Sequence, residues 1–354
     1  MVIARFFAPP PRYPTGPEPA TGREIWHDQT VYPSTHPETG RDARTTGNRP
    51  EPPGPPPAPR GVGGQREDPG PDVADEVSEE VVPVRRLLSV ATGGFAALVG
   101  VGLVFGAQTS GPGARLPFAV VVVGVQLLYI LAWTMALRPP ALPVVAVTAV
   151  AAAGVIDTLA IRAESPGLTP AGYVALAGTA VGVIAQLIRP EHRSRVVESF
   201  GSTLLIMFGV AAFGGLITLS RLPIGTQTIF VALTATALAL SCARLIDAVF
   251  PRPRLAPQVP RGATGVVVGA MLGTLIGAVI GSYVVGFTPT AGAVVGVLAG
   301  TTAVLTDLAV GYSEAGRQMA GDAPTMWVAR HMQGPLGGFA LAAAAGYACS
   351  WFLI

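Results

Sequence analysis

The feature that most constrains this chain is a run of apolar stretches, each about 20 residues long, that begins at residue 87 and continues to the C-terminus with short polar breaks between. A helix of about 20 apolar residues spans the roughly 30 Å hydrocarbon core of a bilayer. Nine such stretches can be drawn, at 87–107, 116–137, 141–161, 171–188, 201–220, 226–246, 263–285, 288–310 and 335–354. The breaks carry turn chemistry: Ser110-Gly111-Pro112-Gly113, Arg138-Pro139-Pro140, Pro166-Gly167 and Arg189-Pro190. The stretches are too long for strands and show no two-residue alternation. The expectation is an all-α, polytopic transmembrane helix bundle of about nine spans, filling residues 85–354.

Composition separates this region from what precedes it. Only 12% of the residues are charged, against about 25% in a soluble domain. Residues 1–84 hold 18 of the 34 prolines and 13 of the 21 acids. They carry 8 arginines and a net charge of −5, while the remainder carries +7. Runs such as Glu51-Pro52-Pro53-Gly54-Pro55-Pro56-Pro57 disfavour helix, and the acidic stretch from Glu67 to Glu80 has little apolar surface to offset ordering entropy. A disordered cytoplasmic tail is expected, either a plain tether or a docking tail for an SH3-like partner. The apolar start, Met1 to Ala8, is too short for a secretory signal.

Every basic residue is Arg; without Lys, Schiff-base and Walker-type lysine chemistry are excluded. Two cysteines, Cys242 and Cys349, cannot build a disulfide framework or a Cys-rich metal site. No nucleophile elbow, dinucleotide fingerprint or P-loop is present. Basic residues are not interleaved with aromatics, so nucleic acid is not an expected partner.

Arginine placement orients the spans. With the N-terminus in the cytoplasm, the inner connections hold Arg85, Arg86, Arg138, Arg189, Arg193, Arg195, Arg244, Arg252, Arg254, Arg261, Arg317 and Arg330. The outer ones hold Arg115, Arg162 and Arg221. Twelve against three satisfies the positive-inside rule and leaves the C-terminus external. Absent Lys, a single Asn and abundant Ala, Gly, Val, Arg and Pro suggest a high-GC bacterial genome, and the membrane expected is therefore a bacterial inner (cytoplasmic) one.

Two spans carry glycine ladders of four-residue period, Gly265, Gly269, Gly273, Gly277 and Gly281, then Gly292, Gly296 and Gly300. Small residues at this spacing let helix backbones meet in lipid. Four-residue spacing drifts about 40° per step, so the longer ladder should curve round its helix and touch more than one neighbour. A tight pair within the bundle, a homodimer through these spans, and a groove of exposed backbone are the readings.

The connection after the sixth span reads Phe250-Pro-Arg-Pro-Arg-Leu255-Ala256-Pro257-Gln-Val259-Pro-Arg-Gly262-Ala-Thr264-Gly and runs into the first ladder. It resembles the phosphatidate cytidylyltransferase (CDP-diacylglycerol synthase) family, whose members carry Leu-Ala-Pro-x-Ile/Val-Ser-Pro-x-Lys-Thr-Trp-Glu-Gly before a Gly-rich span. Val304-Leu305-Thr306-Asp307-Leu308 looks like that family's Leu-Gly-Asp-Leu, and His331-Met-Gln-Gly334-Pro-Leu-Gly337-Gly338 is similar to its His-Gly-Gly. The resemblance covers about the last 115 residues and implies shared ancestry and fold. The departures argue against shared chemistry. The family's Lys, Trp and Glu fall on Ala263, Gly265 and Val266, and its upstream Asp block falls on Leu240 to Arg244. Nucleotidyl transfer from CTP needs carboxylates that hold Mg²⁺ and cations that offset a triphosphate.

A non-catalytic, lipid-associated membrane protein is therefore the leading expectation. An active cytidylyltransferase-like enzyme with a relocated site, and a small-solute transporter, are the alternatives. Asp307 is the candidate catalytic residue. It reads either as a residual cation or head-group site or as a group paired locally near the inner interface. Glu314 and Asp322 are the only nearby acids that would complete a Mg²⁺ site with it, and Mg²⁺ is expected only on the enzyme reading. Arg252, Arg254 and Arg261 are candidates for binding phosphate or lipid head groups. Asp157, near the outer end of the third span, is expected to pair with Arg162.

Overall fold

The computed structural model describes residues 82–110, 115–139, 141–188, 196–323 and 325–353. The Pro-rich acidic tail, its docking partner, and the segment with Arg189, His192, Arg193 and Arg195 lie outside the described residues. The helices are α1 (Arg86–Thr109), α2 (Arg115–Leu137), α3 (Leu142–Arg162), α4 (Thr169–Leu187), α5 (Val196–Leu219), α6 (Gly225–Val249), α7 (Ala263–Tyr283), α8 (Pro289–Met319) and α9 (Trp327–Leu353). Among the described residues, α1 to α8 are long and apolar enough to cross a membrane. Large apolar side chains cover the outside, for example Val267, Met271, Leu275 and Val279 on α7. In water that surface would drive association; in hydrocarbon it faces like material. The chain is a helical, multi-pass membrane protein.

α9 is 27 residues long and rich in Ala and Gly. It begins eight residues before the expected ninth span and carries Pro335 inside the helix. Proline has no N–H to bond the carbonyl four residues back, here that of His331. α8 also outruns its expected span. At 31 residues it is about 46 Å long, more than a hydrocarbon core is thick. Thr288 caps its start by accepting from the Ala291 N–H, and Pro289 occupies its first turn. Glu314 holds its last turns through Arg317 and Gln318, until Gly321 adopts a positive φ of 75°.

The all-α expectation holds, with one short element beside the helices. Arg254–Ala256 (β1) and Val259–Gly262 (β2) form a two-stranded antiparallel hairpin between α6 and α7. The strands are too short for the alternation test, and the prolines fall where no ladder donor is needed: Pro253 before β1, Pro257 in the turn, and Pro260 facing outward.

Successive helices run antiparallel and sort the arginines. Arg85, Arg86, Arg138, Arg244, Arg252, Arg254, Arg261, Arg317 and Arg330 lie at one end, tied across the bundle by contacts such as Arg317 Nη1 to the Ala136 carbonyl at 2.7 Å. Arg115, Arg162 and Arg221 lie at the other, where Arg221 donates to the carbonyls of Ala160 and Ala163. Asp157 does not pair with Arg162. It is 4% exposed and accepts from Gln126 Nε2 at 3.0 Å, because its position on α3 faces α2 rather than the interface.

The glycine ladders behave as their drift requires. A Cβ at Gly265 or Gly269 would strike α6, at the Asp247 carboxylate and the Ala239 carbonyl. One at Gly277 would lie 2.2 Å from the Gly292 carbonyl of α8, and one at Gly296 2.4 Å from that of Gly273. The seam thus closes within the chain. All five α7 glycines are buried, against α6 at one end of the ladder and α8 at the other.

Candidate functional site

Four charged side chains meet beneath the hairpin. α6 supplies Arg244 and Asp247, one turn apart; β2 supplies Arg261; α8 supplies Asp307. In β2 Arg261 points inward and Pro260 outward, and this alternation drives the guanidinium into the bundle. Arg261 is 1% exposed, and both aspartates are fully buried. Arg261 Nε donates to Asp247 Oδ2 at 2.8 Å and its Nη1 to Asp307 Oδ2 at 2.6 Å. Arg244 grips Asp307 with both arms, Nε to Oδ2 at 2.8 Å and Nη2 to Oδ1 at 2.5 Å. Asp247 Oδ1 accepts the Gly262 backbone N–H at 2.9 Å.

Glycines make room for the quartet. A Cβ on Gly334 of α9 would sit 2.0 Å from Asp307 Oδ1, and one on Gly265 2.6 Å from Asp247 Oδ1. The His331-to-Gly338 block therefore contributes space. Gly337 admits the Trp133 ring, and Gly338 approaches the Ala303 carbonyl. Trp133 Nε1 also donates to the Gln333 carbonyl at 3.1 Å and fixes α2 against α9.

Above the quartet lies a cavity of about 260 Å³. Arg244 and Arg261 form part of its lining, together with Arg85, Arg330, His331 and Glu314. Glu314 is held by Arg317 Nη2 at 2.6 Å and Arg330 Nη1 at 2.8 Å. Arg85, Arg244, Arg261, Arg317 and Arg330 thus face Asp247, Asp307 and Glu314, a surplus of two positive charges. Arg261 Nη2 is buried and has no hydrogen-bond partner among the described residues. Burial works against the Arg261 charge, but Asp307 and Asp247 outweigh it and hold its pKa above the ordinary value. Burial, then Arg330 and Arg244, pushes the His331 imidazole down to about 4, so it is neutral at pH 7. The cavity is therefore lined by an excess of positive charge.

The sequence candidates divide accordingly. Asp307 and Arg261 come together; Arg252 is exposed outside the cavity, and Arg254 donates to the Val82 carbonyl at 2.6 Å. Glu314 lies on the cavity wall, paired with arginines rather than with Asp307. Asp322 lies in the turn after α8. Among the described residues, no three His, Cys, Asp or Glu side chains converge as a metal site. Arg nitrogens occupy both Asp307 oxygens, and this donor set does not fit Mg²⁺. Sequence reasoning missed Arg244, taken only as a topology marker, and Asp247. The signal was their spacing: opposite charges three residues apart at the end of an apolar helix share one face. No protein-family model matches the chain, and neither a curated protein nor a solved structure matches it.

Proposed function

We propose that this chain is a non-catalytic, lipid-associated membrane protein, a divergent relative of the phosphatidate cytidylyltransferases, whose arginine-lined cavity holds the phosphate of an anionic lipid. One observation carries the reading. Asp307, the acid that matches the family's motif, is fully buried and held by Arg244 and Arg261. Three Arg N–H groups already occupy most of the lone-pair directions of this carboxylate and neutralise its charge, which makes it a poor anchor for a metal-dependent transfer from CTP. The positive surplus suits a phosphate monoester, and Arg85, exposed at the cavity wall, is placed to meet it. The arginine-rich end is read as cytoplasmic in a bacterial inner membrane, with nine spans and an external C-terminus.

Three measurements test this. Purified protein given phosphatidate, Mg²⁺ and radiolabelled CTP should form no CDP-diacylglycerol. Growth rescue of a cytidylyltransferase-depleted strain, abolished by Asp307→Ala, would overturn the reading. In vesicle-exchange assays the protein should enrich phosphatidate over phosphatidylcholine, and Arg85→Ala should reduce that preference. Equal retention of both lipids by the native protein would remove the head-group site.

A further inference from the structure

The cationic cavity holds a surplus of two positive charges, and one of its walls is the chain's own entry into α1: Val82, Pro83, Val84 and Arg85. Arg85 is exposed there and forms no ion pair among the described residues. Val82 is held through both its backbone polar groups. Its N–H donates to the Pro257 carbonyl at 3.0 Å, and its carbonyl accepts from Arg254 Nη1 at 2.6 Å. The stretch that leads into this clasp, residues 72–80, lies outside the described residues. It reads Asp-Val-Ala-Asp-Glu-Val-Ser-Glu-Glu, five acids and no base. Covalent geometry limits where its end can go. An extended chain advances at most about 3.6 Å per residue, so the Glu80 Cα lies within about 7 Å of the Val82 Cα, and the Glu79 Cα within about 11 Å. Two carboxylates are therefore tethered at the edge of a cavity that is short of two negative charges.

We propose that the acidic stretch 72–80 of this chain docks at the mouth of the cationic cavity, with Glu79 and Glu80 meeting Arg85 and Arg330, and that it competes there with an anionic head group. Charge and tethering both favour this occupant. The two nearest carboxylates equal the surplus of the cavity, and Asp72, Asp75 and Glu76 extend the same sign outward. Arg330 gives Glu314 one nitrogen and stays 26% exposed, so it can meet a second carboxylate. Arg244 and Arg261 stay committed to Asp307 and Asp247. A tether this short holds the acids at an effective concentration on the order of millimolar or above, so exposed ion pairs that are weak one by one suffice. A membrane phosphate must then displace the stretch; that consequence rests on the head-group reading, whereas the docking does not. A surface rich in anionic lipid both repels the stretch and supplies its replacement, which makes the segment a built-in competitor for the site.

The chain has no Lys, which makes the contact directly testable. Arg330→Lys in the full-length protein introduces a single side-chain amine, and a carbodiimide will join it to the carboxylates it touches. The link to Glu314, the partner of Arg330 in the structure, serves as internal standard. In phosphatidylcholine vesicles at low salt, Glu79 or Glu80 should also be joined to position 330. At about 1 M salt, where the screening length falls to about 3 Å, those links should drop severalfold while the Glu314 link persists. Arg86→Lys, exposed, outside the cavity lining and nearer in sequence to the acids, should give fewer such links. Equal or greater linking at position 86, or linking of position 330 to Glu314 alone, would overturn the docking. Links that join two chains would move the contact to a second copy and overturn it for this one. Glu79→Gln with Glu80→Gln should raise phosphatidate enrichment about fivefold, the upper worth of an exposed ion pair, and unchanged enrichment would overturn the competition. Links at position 330 that form but resist phosphatidate would leave the docking standing and remove the head-group reading instead.

Discussion

Glycine meets different partners on the two sides of this bundle. Along α7 and α8 it removes side chains so that backbones touch, and a Cβ at Gly277, Gly292 or Gly296 would come within 2.4 Å of a facing carbonyl oxygen. At Gly154 on α3 and Gly172 on α4 a Cβ would meet nothing within 4 Å, and beside Gly172 lies an apolar cavity. The partner decides which result follows. In the α7–α8 ladders the glycines meet another glycine, a small residue or a backbone carbonyl, so backbone lies on backbone. On the α3–α5 side the buried glycines admit side chains, Gly182 that of Thr203, Gly209 that of Tyr129 and Gly214 that of Ile156, while the exposed Gly154 and Gly172 meet nothing. The close-packed side also holds the buried charges, where a rigid frame keeps two arginines and two aspartates in register.

The largest break in this contrast should come from the charges. Asp307→Ala leaves Arg244 and Arg261 buried without their shared partner and should cost about 3–5 kcal/mol, read as a lower unfolding midpoint in detergent. Asp307→Asn, which keeps an oxygen acceptor, should fall between it and the native protein. Next comes the seam. Gly277→Leu must push α7 from α8 and should cost about 3 kcal/mol, while Gly154→Leu should change the midpoint little. Equal effects would erase the distinction between the two sides. Smaller still is Asp157→Asn. Only Oδ1 of Asp157 receives a hydrogen bond among the described residues, and Asn keeps that acceptor, so the change should stay within about 1 kcal/mol. A separate effect, seen only on acidification, concerns pH. His331 is held at about 4, below its ordinary 6.5, so the unfolded chain binds the proton first. Its contribution is present above about pH 6.5 and is lost as pH falls towards 4, and His331→Gln should flatten that slope in pH-dependent melting.

The helical frame was legible because hydropathy and glycine period act within one segment. α7 and the first two-thirds of α8 fall where the residues place them, and Gly265 to Gly281 turn from α6 to α8 at the pace their spacing dictates. The site was legible only in part. Asp307 stands out as an acid in an apolar run, but nothing local says that its partners lie 63 and 46 residues away, on α6 and β2. Arg261 looked like one of three equivalent loop arginines. The hairpin singles it out, because β2 turns Arg261 inward while Arg252 stays exposed. Asp157 misled for the same reason: Arg162 is near in sequence, whereas Gln126 is near in space.

The hairpin has a mechanical consequence. The Val82 N–H donates to the Pro257 carbonyl at 3.0 Å, and the Val82 carbonyl accepts from Arg254. The backbone entering α1 is thereby clasped to the hairpin that carries Arg261. Val82, Pro83 and Val84 also wall the cationic cavity. A load that enters α1 through Val82 therefore reaches the clasp before it reaches the helix. The hairpin is the point where such a load becomes strain beside the cationic cavity, which makes the short segment from Val82 to Arg85 a lever on Arg261.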